Sequence, residues 1–360
     1  MSTPQYFIGI MSGTSLDGAD SALMCVDDQG WHYLAHHEEP MPADLALAFA
    51  SLNQPGDNEL QRSALATDRL MRLYAQSVRA LLAKTQLRAD DIRAIGIHGQ
   101  TVRHCPNHEP AYTIQLANPA LLAELCGIDV IADFRQRDIA AGGQGAPLAP
   151  LFQRDVLQIQ QGCVVNIGGI ANLSIYQPDG VFGFDSGPGN GLLDAWIGAQ
   201  LGKSYDEHGA WAASGRILEP LCERLLADAY FAKTPPKSSG RDYFDLSWLH
   251  RHLSGDEAAE DVQRTLLELT ARSICDAVKA HSAAKDVILT GGGVRNPLLV
   301  STIAEQLGPS HQLIDCPIDP QAIEAAGFAW LAEAFLRQHA HDLSTITGGK
   351  KRVLGALYPA

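Results

Sequence analysis

A chain of 360 residues is long enough for two domains, each with its own core. Its 27 Lys and Arg against 41 Asp and Glu leave a formal charge of −14, which repels phosphate backbones and anionic lipid and argues against a nucleic-acid or membrane-surface role. Hydrophobic residues at 46% with 19% charged exclude a disordered chain.

The first element is a short apolar strand over residues 6–10. It runs into the small polar turn Ser12-Gly13-Thr14-Ser15-Leu16-Asp17-Gly18, and residues 22–26 are apolar again, the pattern of a hairpin. Residues 60–82 carry apolar side chains at helical spacing, and 92–97 read as the next strand. The Gly-rich segment 141–147 has linker composition, which predicts a domain break between residues 136 and 146. A second strand–turn–strand pattern follows at 163–167, Gly168-Gly169 and 172–176, with a third strand at 181–184. Residues 192–201 read as helix with Gly202 as its C-cap. A buried-type strand at 287–289 ends in Thr290-Gly291-Gly292-Gly293. Asn296-Pro297 then supplies an N-cap and a first-turn proline for a helix to residue 307. An amphipathic helix is predicted over 322–335. Strands alternating with helices, twice, predict a duplicated α/β fold.

The seven cysteines are scattered singly with no Cys-x-x-Cys, which reads as reduced thiols in a cytoplasmic protein without a zinc cage. No basic region precedes the first apolar stretch and every long apolar run is interrupted, so neither a signal peptide nor a membrane span is expected.

Three Gly-rich turns follow apolar strands, and such turns can aim several backbone N–H groups at one phosphate. Each alone also fits a tight turn that needs a positive φ. Gly198-x-x-x-Gly202-Lys203-Ser204 resembles a P-loop but is one residue short and follows helix, not strand. Asp185-Ser186-Gly187 resembles an aspartic-protease signature, yet no second copy exists to complete a carboxylate dyad.

The run Gly9-Ile10-Met11-Ser12-Gly13-Thr14-Ser15-Leu16-Asp17-Gly18-Ala19-Asp20 resembles the first phosphate loop of the sugar kinase, actin and heat-shock chaperone superfamily. It is especially similar to the anhydro-N-acetylmuramic acid kinase branch. Further matches are His98-Gly99-Gln100-Thr101, Ala117-Asn118-Pro119-Ala120, Asp133-Phe134-Arg135, Asn166-Ile167-Gly168-Gly169, Phe184-Asp185-Ser186-Gly187-Pro188-Gly189-Asn190 and Leu354-Gly355-Ala356-Leu357-Tyr358-Pro359, in order across nearly the whole chain.

The resemblance implies an α/β protein of two duplicated actin-like (ribonuclease H-like) domains around a central cleft, with expected boundaries 1–136 and 137–360 and a tail free to pack back on the first domain. It implies ATP and Mg2+ as cofactors, a cytoplasmic location and a homodimer. It also implies a reaction in which water opens a 1,6-anhydro sugar at C1 while O6 takes the γ-phosphoryl group of ATP. Nucleotide would be held by Gly13, Thr14, Ser15, Leu16, Asp17, Gly18, Ala19 and Asp20, by Gly168 and Gly169, and by Gly291, Gly292, Gly293 and Asn296. Sugar would be held by His98, Gln100, Thr101, Asn118, Asp133 and Arg135, with Arg103 and Arg137 as further candidates for its carboxylate. Asp185 is the expected base and Glu324 the second active-site acid. Asp185 equally fits an Asx-turn, Glu324 an ordinary first-turn glutamate and His98 a core histidine. Met11 stands where the superfamily commonly carries a magnesium-associated aspartate, which leaves the metal's protein ligand unassigned and Asp17 a candidate. The alternatives are an actin- or chaperone-like ATPase switch and a simple amino-sugar kinase.

Overall fold

The apolar run at the N-terminus becomes the centre of a sheet because its two neighbours pair with it in opposite senses. In the computed structural model, which describes residues 3–13, 15–178, 180–235, 237–240 and 243–360, β1 (Gln5–Met11), β2 (Gly18–Asp27) and β3 (Gly30–Pro40) form an antiparallel meander. β4 (Ile92–Ile97) pairs in parallel with β1, outside it lies a separate hairpin of β5 (Gln100–Cys105) and β6 (Tyr112–Leu116), and β7 (Val130–Ala132) is parallel to β4. The pattern then repeats. β8 (Gly162–Ile167), β9 (Ile170–Gln177) and β10 (Gly180–Pro188) form a second meander, β11 (Asp286–Thr290) is parallel to β8, and β12 (Gln312–Leu313) is parallel to β11. β13 (Ala356–Tyr358) closes the first sheet against β7.

The sheet orders are β13-β7-β4-β1-β2-β3 and β10-β9-β8-β11-β12. In both, the first strand of a three-stranded meander takes a parallel partner on its free edge, a duplicated α/β topology as the alternating strand and helix patterns predict.

The chain divides into two compact units, Met1–Gln158 with Pro317–Ala360, and Ile159–Cys316. The expected break near residue 136 differs from this because the Gly-rich segment 141–147 is folded into the first unit. Gly145 N–H donates to Asp138 Oδ2 at 2.7 Å and Gln144 N–H to the Thr347 carbonyl at 3.0 Å. The next helix, Ala149–Val156, is tied to the helix Ile323–Leu336 by a 2.9 Å bond from Trp330 Nε1 to Asp155 Oδ2. Glycine composition marks turns, and these turns have partners some 200 residues downstream.

The helix Ile323–Leu336 lies on β1, β2 and β4 at backbone contact. A Cβ on Gly9 would fall 1.8 Å from the Ala325 carbonyl oxygen and one on Gly96 would fall 2.0 Å from that of Phe328. This helix is not amphipathic as expected. Every residue from Ile323 to Ala334 is buried except Glu324, which is exposed. In the second unit the helix Ala259–His281 covers β9 and β10. Gly202, at φ +67°, caps the helix Asn190–Leu201, so the P-loop-like spacing is a helix end.

Candidate active site

In the first unit the end of β4 delivers His98 to Arg135, at the start of the helix Phe134–Ala140. Arg135 Nε donates to His98 Nε2 at 2.7 Å, which leaves the ring neutral with its proton on Nδ1. Burial, and then the guanidinium, push the His98 pKa well below the usual histidine value. Arg135 Nη1 donates to the Gly145 carbonyl at 2.9 Å. His98, Gln115, Asp133, Phe134, Arg135 and Phe328 line a small cavity, with the His98 and Phe328 rings 5.2 Å apart. Asp133 sits at φ +65°, a strained conformation for a non-glycine residue, and its Oδ2 accepts from the Tyr358 hydroxyl at 2.8 Å. One cation, one carboxylate, one amide and aromatic walls are groups that recognise polar, anionic ligands, and at about 10 Å³ the cavity as it stands has room for a single water.

The other expected sugar residues sit around this cavity or have structural duties. Thr101 Oγ1 accepts from Gln115 Nε2 at 3.1 Å. Gln100 is 1% exposed; its Nε2 donates to the Gly13 carbonyl at 3.0 Å, tying β5 to the turn between β1 and β2, while its buried Oε1 has no hydrogen-bond partner among the described residues. Asn118 accepts from Leu121 N–H at 3.1 Å as the N-cap of the helix Pro119–Cys126. Of the three arginines only Arg135 lines the cavity. Arg137 is exposed, and Arg103 is committed to Glu59 at 2.9 Å and to the Leu52 carbonyl.

The expected phosphate loop joins β1 to β2. Leu16 lies at φ +60°, and Asp17 Oδ1 accepts from the Ser15 hydroxyl at 2.7 Å and from Gly18 N–H at 3.0 Å. Ala19 is fully buried, so only its backbone is available to a ligand, and Thr14 lies outside the described residues. Asp20 Oδ1 meets His36 Nε2 at 2.8 Å. Solvent reaches the Glu324 carboxylate, yet protein crowds it: desolvation raises its pKa, Arg135 opposes that, and the Asp20 charge adds to it. Glu324, Arg135 and Asp20, far apart in sequence, therefore share one electrostatic field.

In the second unit the expected Gly turns converge. Gly168-Gly169 joins β8 to β9 and receives the N–H groups of Asn190 on the Gly168 carbonyl at 2.7 Å and of Gly189 and Gly191 on the Gly169 carbonyl at 3.0 Å. Gly291, at φ +81°, packs on Asn166 and Ile167, and a Cβ on Gly293 would fall 2.3 Å from Ile167 Cγ2. A Cβ on Gly292 meets nothing nearer than 3.7 Å. Asn296 caps the helix Pro297–Leu307 through Leu299 N–H at 3.1 Å. Gly292→Val is therefore expected to fold normally and to raise the KM for ATP about tenfold or more with little change for the sugar, since one lost charged hydrogen bond is worth ~1.5–3 kcal/mol. Gly293→Val is expected to lose stability instead. Equal KM changes for both substrates in a folded Gly292→Val enzyme would reject this turn as a phosphate cradle.

Asp185 owes its position to a β-bulge. Asp185 pairs with Asn172 and Gly187 with Ala171, which leaves Ser186 as the extra residue. Its N–H donates to the Lys237 carbonyl at 3.1 Å, its own carbonyl accepts from the Tyr230 hydroxyl at 2.8 Å, and its Oδ2 accepts from Ser239 N–H at 2.8 Å. Burial raises the carboxyl pKa and the Ser239 bond opposes it. Lys237 Nζ lies over the Tyr230 ring, 4.9 Å from its centroid. Sequence reasoning did not single out Gln115, Asp138, Tyr230, Ser239 or Phe328, none of which lies in a recognisable motif. Tyr358 fell within a matched motif without a role.

A family model described as anhydro-N-acetylmuramic acid kinase matches residues 5–360. The anhydro-N-acetylmuramic acid kinase of Nitrosomonas europaea is 48% identical over 364 residues, covering 99% of this chain and 100% of that one. That of Cupriavidus pinatubonensis is 50% identical over 367 residues, covering 98% of each. Among solved structures, component A of the Acidaminococcus fermentans (R)-2-hydroxyglutaryl-CoA dehydratase aligns with 92% of this chain and 99% of that one, at 13% identity and a TM-score of 0.48.

Proposed function

The chain belongs to the anhydro-N-acetylmuramic acid kinase family, and on that premise we propose that its residues convert 1,6-anhydro-N-acetylmuramic acid, ATP and water into N-acetylmuramic acid 6-phosphate and ADP, a step of cell-wall recycling. The two alternatives, an ATPase switch and a simple amino-sugar kinase, find no support in that membership.

Opening a glycosidic bond ordinarily takes a base for the water and an acid for the leaving oxygen. In this reaction the water oxygen bonds to C1, the C1–O6 bond breaks, and O6 bonds to the γ-phosphorus as ADP leaves. Phosphorus takes the place of the acid, and a single base suffices. The observation that carries the reading is Asp185: a half-buried carboxylate on a bulge, fixed at its N–H, its carbonyl and one carboxylate oxygen, with a pKa raised by burial. Such a group is a stronger base than an exposed aspartate and holds one orientation. It takes the proton of the attacking water.

Arg135 pairs with the substrate's lactyl carboxylate. The bonds to His98 and Gly145 use Nε and Nη1 and leave Nη2 for that contact. The Gly-rich turns hold the phosphates through backbone N–H groups, which lets an acidic protein bind ATP without a cluster of lysines. Mg2+, when bound, neutralises phosphate charge. No group of three or more His, Cys, Asp or Glu among the described residues could hold it, so its protein ligand stays unassigned. Asp20 Oδ1 is engaged by His36 Nε2 and Asp17 Oδ1 by Ser15 and Gly18. All seven cysteines are free thiols and no helix among the described residues is long and apolar enough to cross a membrane, both compatible with the cytoplasm.

A brief reaction in ¹⁸O-water tests the chemistry. The label is expected at C1 of the product, and attack opposite the departing O6 is expected to give the α-anomer first, seen by NMR before mutarotation. A product that keeps the anhydro ring, or label absent from C1, would reject it.

A further inference from the structure

We propose that Asp138 is a positioning residue for sugar binding, holding Arg135 in place through Gly145; the proposal rests on the reading of Arg135 as the ligand of the substrate's carboxylate. Asp138 lies three residues after Arg135 on the helix Phe134–Ala140, so both side chains leave the same face. It is 0% exposed. Its Oδ2 accepts from Gly145 N–H at 2.7 Å, and Gly145, at φ +75°, turns its carbonyl to Arg135 Nη1 at 2.9 Å. Its Oδ1 accepts from the Thr347 hydroxyl at 2.9 Å. Both backbones that close over the carboxylate do so at glycine: a Cβ on Gly143 or on Gly349 would fall 2.4 Å from Asp138 Oδ1.

A buried carboxylate is a costly way to fasten a loop, and here both of its oxygens accept, one from Gly145 N–H and one from the Thr347 hydroxyl. The charge bears on Arg135 as well: burial lowers the pKa of its guanidinium, and the carboxylates of Glu324 and then Asp138 oppose that. Asp138 thus acts on Arg135 twice, through the field of its carboxylate and through the loop that carries the accepting carbonyl. Thr347 uses the other oxygen, which separates a tail-fastening role from an arginine-holding one.

The test is a set of variants assayed for both substrates. Asp138→Asn keeps the shape, but its amide can accept on one side only. It is expected to raise the KM for the sugar on the order of tenfold, with the KM for ATP and kcat at saturating sugar nearly unchanged. Combined with Arg135→Ala, itself expected to raise that KM tenfold to a hundredfold, it is expected to add nothing further. Thr347→Val is expected to lower the melting temperature and leave the sugar KM alone. Should Asp138→Asn fail to fold, Gly145→Ala carries the test: strain at φ +75° displaces the same carbonyl and is expected to reproduce the selective rise. An unchanged sugar KM in the folded variant, or effects that add with Arg135→Ala, would overturn the proposal while Arg135→Ala still raises the sugar KM. An Arg135→Ala enzyme with unaltered sugar KM would overturn the reading of Arg135 itself, and the proposal with it.

Discussion

Asp185→Asn is expected to lower kcat by ~10²–10⁴ while the KM values for ATP and sugar change little, because the variant keeps the shape of the side chain and loses the base. The Ser239 N–H bond can pass to the asparagine oxygen, so the loop around residues 237–240 is expected to stay in place. In the unaltered enzyme kcat should fall on acidification as Asp185 takes up a proton. Because burial raises its pKa, that limb should lie above the ordinary aspartate value of about 4. Residual turnover of the variant should lack it.

The same shift bears on stability with a definite sign. A carboxyl whose pKa is higher in the folded than in the unfolded chain favours folding while it is protonated, and that contribution is lost as pH rises through the folded value. At neutral pH Asp185 is thus a cost to the fold, and Asp185→Asn should melt at the same temperature or higher. The advantage should shrink on acidification and vanish below about pH 4. Undiminished turnover in a folded Asp185→Asn enzyme would remove Asp185 as the base, and a lower melting temperature at neutral pH would contradict the assigned burial cost.

Gly96→Val is expected to abolish folding of the first unit, as is Gly9→Val. Their Cβ atoms would lie 2.0 Å and 1.8 Å from the carbonyl oxygens of Phe328 and Ala325. Those atoms are backbone, so no rotamer change relieves the clash and the whole helix Ile323–Leu336 must lift from β1 and β4. The lost burial of that helix puts the effect among the rare substitutions that cost more than ~4–5 kcal/mol. Glu324 rides on the first turn of the same helix, so any chain that does fold should also lose activity. Soluble, active Gly96→Val protein with an unchanged melting temperature would show that the helix is not held at backbone contact.

The contrast with Gly292, where a side chain finds room, separates glycines that packing requires from one that packing does not. All of these glycines look alike in the sequence. A Gly within a strand and a Gly within a turn both signal close approach, but not of what.

The amino-acid sequence by itself determined what depends on neighbours in the chain. The strand–turn–strand openings of both halves became β1–β2 and β8–β9, the Asn296-Pro297 start capped its helix, and Gly202 ended another. Period-two and period-3.6 patterns and turn residues are local signals, because hairpins and helices are closed by residues a few positions apart. The matched motifs also marked His98, Asp133 and Arg135, which line one cavity. Only the tertiary structure decided how those residues are held. Thr347 reaches Asp138 across 209 positions and Tyr358 reaches Asp133 across 225, and such pairings leave no periodicity to read. The same holds for Arg103, a candidate ligand by charge until Glu59 and the Leu52 carbonyl claim it, and for Glu324, whose helix returns to the first unit from the far end of the chain. A side chain's chemistry is written in its residue type, but its accessibility and its electrostatic neighbours are set by segments that meet only when the chain folds.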